Sequence, residues 1–396
     1  MSTSASIPAS GADSVDLSAF DDEEVPAPAP PPPPPAPPPP PPITAAVTYL
    51  FESGDVSRQY RVAIDILRLD PLGQPEFSAL PLSSRTALQL ATTQRRDGGW
   101  GGGALTRPEN APDGIQGVGL IPGIRRLVEL GWGIDTPPLH AARRTLFRLI
   151  SEEDDPSLRF EFAGTTDRVL AARQRMLLRE AAGAALAHAG LEDDPRLRGL
   201  ARRVLDRIVA YLKSPLAVDP WIAGGSRAEL RPEAMPPSVY ALQLLAYMPK
   251  FRSEHHQAIA RLVTWLTRPV AHAKWTQRVG ATLDAQPHLV LGDPLAAPFA
   301  PDLPSTLGWL ELFARLGVLR RHEPWGAAFD RLLAQRDEAA IWHAPAGMVL
   351  PTTSTDPAWW HAFTLGAPTA PVDWSLEVTF RLALISRLSG RALAYR

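Results

Sequence analysis

The chain contains no cysteine among its 396 residues. This absence excludes a disulfide framework, thiolate metal ligands and a cysteine nucleophile, and it favours a protein of the cell interior. The sequence also lacks an apolar run long enough to span a bilayer, and its N-terminus lacks the charged start and apolar stretch of a signal peptide. We therefore expect a cytoplasmic protein without a membrane span.

Clusters of basic residues with interleaved aromatic residues are missing as well. The arginines are spread along helical segments opposite the apolar positions, which is typical of a solvent-exposed helix face. We therefore expect no binding to nucleic acid. One such face carries Arg196, Arg198, Arg202, Arg203 and Arg207.

The first 42 residues differ in composition from the rest of the chain. Residues 1–25 are small, polar and acidic, and residues 26–42 are proline with three interspersed alanines. Such sequences bury too little apolar surface to offset the entropy of ordering. We predict a disordered acidic leader over 1–25, a polyproline II linker over 26–42 and a single folded domain over 43–396. The tract Pro26–Pro42 is either a plain tether or a ligand for an adaptor with an aromatic groove.

From residue 43 onward, apolar residues recur with helical spacing, and no strand-like alternation of useful length occurs. Helices are predicted to end at Gly131, Gly190 and Pro249, which are 59 residues apart, and at Gly317, 68 residues further on. In each unit the first helix is apolar on nearly all sides and the second carries arginines on one side. Because a helix that is apolar all round must be buried, the period predicts about five or six helical hairpins with inner and outer helices.

One loop contains a motif formed by Gln94, Asp97, Gly98, Gly99 and Trp100. We expect the Trp100 indole to wedge between neighbouring hairpins and the glycines to permit a sharp turn. The Gln94 side chain is predicted to cap the carbonyls at the end of its own helix. Weaker versions of this aromatic loop follow later helices, at Trp221, Trp275 and Trp342.

The spacing Gln-x-x-x-Gly-x-Trp from Gln94 to Trp100 resembles the signature repeat of the squalene-hopene and oxidosqualene cyclases. It is similar, more loosely, to the prenyltransferase-type repeat proteins that share an α/α toroid. Asp97 and Gly99 also match the Asp-Gly-Gly-Trp form of those repeats. The resemblance implies an all-α toroid over roughly residues 56–390, with a central cavity that binds an isoprenoid or another small apolar molecule.

The catalytic motifs of that superfamily are absent from the sequence. Class II cyclases protonate an alkene with an Asp-x-Asp-Asp motif, to which the Glu-Glu-Asp-Asp sequence at 152–155 is the nearest approach. The Asp-Asp-x-x-Asp motif that holds magnesium on a diphosphate is missing, and without cysteine the zinc site of the protein prenyltransferases cannot form. We therefore predict no metal and no cofactor, and whether the protein is an enzyme stays open.

Candidate site residues come from the C-terminal half of the chain. On the last predicted inner helix, Asp373 and Glu377 are four residues apart and share a face, where they either perform acid/base chemistry or only pair with Arg381 and cap the helix. His343, His361 and Asp356 offer a further set of metal ligands, without the spacing of a helical ligand pair. Aromatic side chains and one histidine are predicted to line a pocket for an apolar ligand: Tyr240, Tyr247, Trp309, Trp359, Trp360, Trp374 and His361.

Three functions stay open at the level of sequence. The first is a cyclase-like or prenyltransferase-like protein that binds an isoprenoid in its centre, and the second is a non-catalytic binding or scaffold protein tethered by the proline tract. The third is a polysaccharide lyase or glycoside hydrolase that uses Asp373 and Glu377. A cavity lined by aromatic residues favours the first function, a centre filled by large side chains the second, and an open cleft with two facing carboxylates the third.

Overall fold

The computed structural model describes residues 41–70, 73, 75–107, 115–151, 155–223, 228–297, 299, 301–351, 356–363 and 372–396. The predicted leader over 1–25 and nearly all of the linker over 26–42 lie outside these ranges. Within them the protein is mostly helical, which confirms the all-α prediction. None of the helices in the described ranges has both the length and the apolar character needed to cross a membrane.

The helices follow one another along the chain with only short strands between them. The α-helices are α1 (Val47–Ser53), α2 (Val56–Arg61), α3 (Pro75–Ala79), α4 (Arg85–Thr92), α5 (Leu120–Glu129), α6 (Pro137–Ser151), α7 (Arg168–His188), α8 (Pro195–Lys213), α9 (Val239–Ala246), α10 (Pro249–Glu254), α11 (His256–Leu266), α12 (Leu303–Arg315), α13 (Glu323–Leu333) and α14 (Trp374–Leu388). A π-helical turn, Val62–Ile66, continues α2, and short 3₁₀ turns lie at Leu80–Ser83, Pro156–Phe162, Pro215–Ala217 and Trp360–Ala362.

The buried helices pack against one another in chain order. α5 contacts α7, α7 contacts α9, α9 contacts α12, α12 contacts α14, and α14 contacts the π-helical turn after α2. In α5, α9, α12 and α14 nearly every residue is buried, whereas α4, α6, α8 and α11 bury only one face. The amphipathic helices cover this core, since α6 packs on α7 and α8, and α8 packs on α11. Each amphipathic helix thus hides its apolar stripe while its arginines reach solvent.

Side-chain caps and glycines fix where the helices begin and end. The predicted ends at Gly131, Gly190 and Gly317 are confirmed, because each glycine has the left-handed backbone that commonly terminates a helix. At the N-termini, aspartate or serine oxygens accept a backbone N–H in the first turn, which satisfies one of the unpaired donors there. These caps are Asp55, Ser84, Asp167, Asp194, Ser238, Asp302 and Asp373.

Short strands form two small sheets that the sequence pattern does not predict. β1 (Ile43–Ala45) pairs in parallel with β5 (Leu393–Tyr395), with Ile43 opposite Leu393. β3 (Thr276–Val279) pairs with the antiparallel β4 (Thr282–Ala285) and with the parallel β2 (Glu229–Leu230). Segments of two to four residues are too short for their alternation to be recognised.

The Gln94–Trp100 loop joins α4 to the next buried helix. The Trp100 indole is buried, its Nε1 donates to the Leu90 carbonyl at 2.8 Å, and its ring carbons would lie 3.0 Å from a Cβ on Gly123 of α5. Gly98, with φ +82°, approaches the backbone of Ala141 so closely that a side chain would clash. The wedge and the glycine turn are therefore present as predicted.

The role predicted for Gln94 is wrong. Its Nε2 does not cap α4 but donates to the carbonyl oxygens of Gly98 and Pro138, both at 2.8 Å. The side chain thus ties its own loop to the first turn of α6. This arrangement arises because the helix ends at Thr92, and Gln94 is already beyond the exposed carbonyls that it was expected to cap.

The weaker copies of the loop divide into two kinds. Trp342 is fully buried like Trp100, donates from Nε1 to Gln335 Oε1 at 2.8 Å, and follows Ala340, whose φ of +63° replaces the missing glycine. Trp221 and Trp275 are only half-buried and lie 6.3 Å apart in a separate small apolar cluster. Only the first kind wedges into the main core.

Candidate functional site

Charged and histidine side chains are buried together between the inner helices. They come from α2, α5, α7, α12, α14 and the 3₁₀ turn at residue 361, and we call this group the buried polar cluster. Such a group is costly to desolvate unless its charges are paired, so its contacts deserve a full account. Its members are Arg58, Arg61, Arg125, Arg126, Glu129, His188, Glu311, Arg315, His361, Glu377 and Arg381.

Glu129 of α5 is at the centre of this cluster. Its Oε2 accepts from Arg61 Nη1 at 2.5 Å and from Arg381 Nη2 at 3.0 Å, while its Oε1 faces His188 Nε2 at 3.3 Å. Burial raises the pKa of this carboxyl, but Arg381, Arg61 and the contact with His188 outweigh burial and hold the pKa well below its ordinary value. Glu129 is therefore anionic at neutral pH.

Further ion pairs extend the cluster on both sides of Glu129. Arg381 Nη1 donates to Glu311 Oε2 at 2.7 Å, and Arg315 Nε donates to Glu311 Oε1 at 2.9 Å. On the other side, Arg58 Nη2 donates to Glu377 Oε1 at 2.5 Å. These pairs connect α2, α5, α12 and α14, so the charges hold together helices that are distant in sequence.

His188 and His361 are the neutral members of the cluster. Their rings lie 5.7 Å apart, and the His188 ring packs on Tyr247 at 4.4 Å. Burial lowers the pKa of His188 to about 4, despite the contact with Glu129 that works in the opposite direction. Burial, together with Arg125 and His188, holds the pKa of His361 well below its ordinary value. Both imidazoles are uncharged at neutral pH and can offer a lone pair.

Two adjacent arginines of α5 have fewer partners than the others. Arg125 Nη1 donates to Gln243 Oε1 at 2.5 Å, but its Nε and Nη2 have no hydrogen-bond acceptor. Arg126 Nη1 donates to the His361 carbonyl at 3.3 Å, and its guanidinium lies 5.5 Å from the centre of the Trp360 ring. Burial lowers the pKa of Arg125, and it lowers the pKa of Arg126 to about 10.

A small cavity lies beside this cluster. Its volume of about 10 Å³ is close to that of one water molecule. The walls are mainly polar, so a single hydrogen-bonded water suits it better than an apolar ligand. The lining residues are Glu129, Gln243, Ala246, Tyr247, Gly308, Glu311, Leu312, Arg315, Trp359, His361 and Ala362.

The two predicted catalytic acids occupy different environments. Asp373 is exposed and caps α14, because its Oδ1 accepts from the backbone N–H of Leu376 at 3.1 Å. Glu377 is buried and pairs with Arg58. The structural alternative for this helix, pairing with Arg381, is also changed, since Arg381 instead donates to Glu129 and Glu311. Their catalytic role stays a prediction.

The predicted pocket aromatics are buried, but they pack mainly against the protein. Trp359 covers Gly308, where a Cβ would lie 2.5 Å from the indole, and lies 5.4 Å from Trp309. Trp374 Nε1 donates to the Pro351 carbonyl at 2.8 Å. Tyr247 and Trp359 line the small cavity together with His361, whereas Tyr240, Trp309, Trp360 and Trp374 are not among its lining residues.

The metal-ligand set drawn from sequence is not assembled. His343 is exposed and its Nε2 lies 2.9 Å from Asp337 Oδ2, whereas His361 is buried near His188. Among the described residues, the group of three whose ligand atoms lie within 4.8 Å of one another is Glu129, His188 and His361. Residues 152–154 and 352–355, which belong to other sequence candidates, lie outside the described residues.

Sequence reasoning missed Arg125, Arg126, Glu129, His188 and Glu311. A signal was present, because charged residues at 125, 126 and 129 interrupt a helix that is otherwise predicted to be buried on all sides. A buried charge needs a partner, and such partners indicate a polar network.

No family model, curated protein or solved structure matches the chain. The function has to be inferred from the geometry of the buried polar cluster and its surroundings.

Proposed function

We propose that the folded part is an α/α toroid that acts as a non-catalytic binding or scaffold protein. The order of helix contacts supports a toroid, since α5, α7, α9, α12 and α14 pack successively and α14 packs on the turn after α2. Arg61 of α2 then donates to both the backbone and the side chain of Glu129 in α5. This last contact links the first inner helix to the second and completes the cycle.

The observation that carries the proposal is how little space the inner helices leave. Pockets for small organic ligands typically measure about 300 Å³ or more. The cavity between α5, α9 and α12 measures about 10 Å³, and ion pairs fill the region around it. An isoprenoid would have to displace Trp359 or break buried ion pairs, and both carry a large free-energy cost.

The protonation states support the same proposal. An alkene-protonating acid must be neutral and strongly acidic in its site. The pKa of Glu129 and that of Glu311 are both held below the ordinary value, because nearby guanidiniums outweigh the effect of burial. These carboxylates are permanent partners of arginines and have no proton to donate.

A second candidate, isoprenoid binding with acid catalysis, has one observation in its favour. Burial raises the pKa of Asp356 to about 6, so this carboxyl holds a proton more readily than an exposed aspartate. Its charge also acts on the nearby Tyr240 hydroxyl. Asp356 does not line the small cavity, however, and therefore faces no space for a substrate there.

The test exposes the full chain to farnesyl diphosphate, squalene, a lipid extract and a glycan panel, followed by native mass spectrometry. We expect no retained ligand. Trp359→Ala is the matched control, because removal of this indole opens an apolar cavity that a small hydrocarbon can fill. Stoichiometric retention of an isoprenoid by the unmodified chain would overturn the proposal in favour of the second candidate.

The binding role has its own test on the proline tract. We expect one or more members of a panel of SH3 and WW domains to bind the full chain, and a variant with alanine at Pro37 to Pro42 to lose that binding. If no domain in the panel binds, or if the variant binds equally well, the tract is only a tether and the scaffold role loses its partner.

A further inference from the structure

We propose that Glu129, His188 and His361 bind one divalent transition-metal ion of the Zn²⁺ class. The ligand atoms of these three residues all lie within 4.8 Å of one another, in a buried region between α5, α7 and the turn at residue 361. Two imidazoles and one carboxylate form a ligand set that suits Zn²⁺ better than Mg²⁺ or Ca²⁺. This binding is independent of the scaffold role.

The distances are close to those of a zinc site. Bonds of about 2.0–2.1 Å at tetrahedral angles separate neighbouring ligand atoms by about 3.4 Å. His188 Nε2 and Glu129 Oε1 are already 3.3 Å apart. With every separation within 4.8 Å, the His361 ring needs to approach by about 1.4 Å or less, which a side-chain rotation provides.

The hydrogen bonds of Glu129 leave one oxygen free for a metal. Arg61 and Arg381 both donate to Oε2, so they orient the carboxylate from the side away from His188. Oε1 is fully buried, faces His188 and has no hydrogen bond that meets the geometric criteria. A buried carboxylate oxygen without a hydrogen bond is costly, and a metal ion would satisfy it.

The neutral histidines and the small cavity complete the site. Metal ligands must be deprotonated, and burial keeps both imidazoles uncharged at neutral pH. The cavity touches Glu129 and His361 and has room for one water, which can serve as the fourth ligand. Tyr247 and Glu311, which also line it, can accept or donate hydrogen bonds to that water.

The surrounding arginines set an upper limit on the affinity. Arg61, Arg125 and Arg381 repel a divalent cation, and Glu129 and Glu311 offset this repulsion only in part. We therefore expect weaker zinc binding than in a closed structural site with thiolate ligands.

The test measures zinc bound to the full chain after removal of metal with a chelator. Titration with ZnCl₂ and elemental analysis after gel filtration should give one equivalent of zinc per chain, and MgCl₂ at the same concentration should give none. Substitution by Co²⁺ should produce the visible absorption of a tetrahedral site with nitrogen and oxygen ligands.

Variants locate the ion and keep the proposal falsifiable. His188→Gln and His361→Gln, checked for native helix content by circular dichroism, should each bind zinc at least about tenfold more weakly. His256→Gln is the matched control, because His256 is exposed on α11 and far from any such cluster in the described residues. No bound zinc, or equal binding by the His361 variant, would overturn the site, and neither result would bear on isoprenoid retention.

Discussion

Replacement of Trp100 tests whether the indole locks α4 onto α5. Truncation of a buried tryptophan to alanine costs about 3–5 kcal/mol, because the cavity that remains cannot close completely. The Leu90 carbonyl keeps its hydrogen bonds from Thr93, so no buried acceptor is orphaned and the loss is mainly one of packing. We expect Trp100→Ala to lower the free energy of unfolding by about 4 kcal/mol and Trp100→Phe by about 1–2 kcal/mol.

A double-mutant cycle with Gly123 sharpens this prediction. A Cβ at residue 123 would lie 3.0 Å from two indole carbons, so Gly123→Ala should cost about 1–3 kcal/mol in the presence of Trp100. In the Trp100→Ala background, the added methyl group fills part of the cavity and should cost nothing or stabilise. The two substitutions are therefore strongly non-additive if the contact exists.

The assay is urea unfolding followed by far-ultraviolet circular dichroism, with the variants compared at a common slope. Trp221→Ala serves as the control, because Trp221 is half-buried in the separate small cluster. If Trp100→Ala costs no more than Trp221→Ala, or if the cycle with Gly123 is additive, the wedge has no energetic role and the reasoning from this motif fails.

Three further predictions concern buried polar groups. Glu377→Gln should cost about 3–5 kcal/mol by leaving Arg58 without its buried partner, whereas Asp206→Asn in an exposed helix pair should cost less than about 1 kcal/mol in the same unfolding assay. Burial lowers the pKa of His288 to about 4, so its contribution is complete above the unfolded pKa of about 6.5 and is lost as the pH falls toward 4. Hence His288→Gln should flatten the stability profile between pH 7 and 4 by up to about 3 kcal/mol, and an unchanged profile would contradict a buried neutral ring. Gln94→Leu should destabilise by about 1–2 kcal/mol through loss of the bonds to Gly98 and Pro138, which differential scanning calorimetry against Gln89→Leu can measure.

Helices and their ends were accessible from sequence because they depend on local signals. Gly131, Gly190 and Gly317 adopt the left-handed conformation that glycine tolerates best, and the apolar segments before them are buried as their composition requires. The Trp100 wedge was accessible for the same reason, since the indole and its glycine turn are adjacent in sequence. The arrangement of the helices in a toroid remains a proposal.

The polar centre was not accessible because its partners are distant in sequence. Glu129 meets Arg61, His188 and Arg381, which are separated from it by 68, 59 and 252 residues. Helical periodicity identifies a buried face but not which charge opposes it on another helix. Gln94 illustrates the same limit on a smaller scale, because its partner Pro138 is 44 residues away.

The parallel pairing of β1 with β5 has a consequence for synthesis of the protein on the ribosome. Ile43 and Leu393 are partners across 350 residues, and Arg396 also exchanges backbone hydrogen bonds with Ala45 and Thr48. At about 5–20 residues per second, the first strand waits roughly 20–70 s before its partner has been made. During that interval its backbone donors and acceptors are unpaired, which is the state most prone to pair with another chain. The last residues to be translated therefore complete the structure begun by the first residues of the described fold.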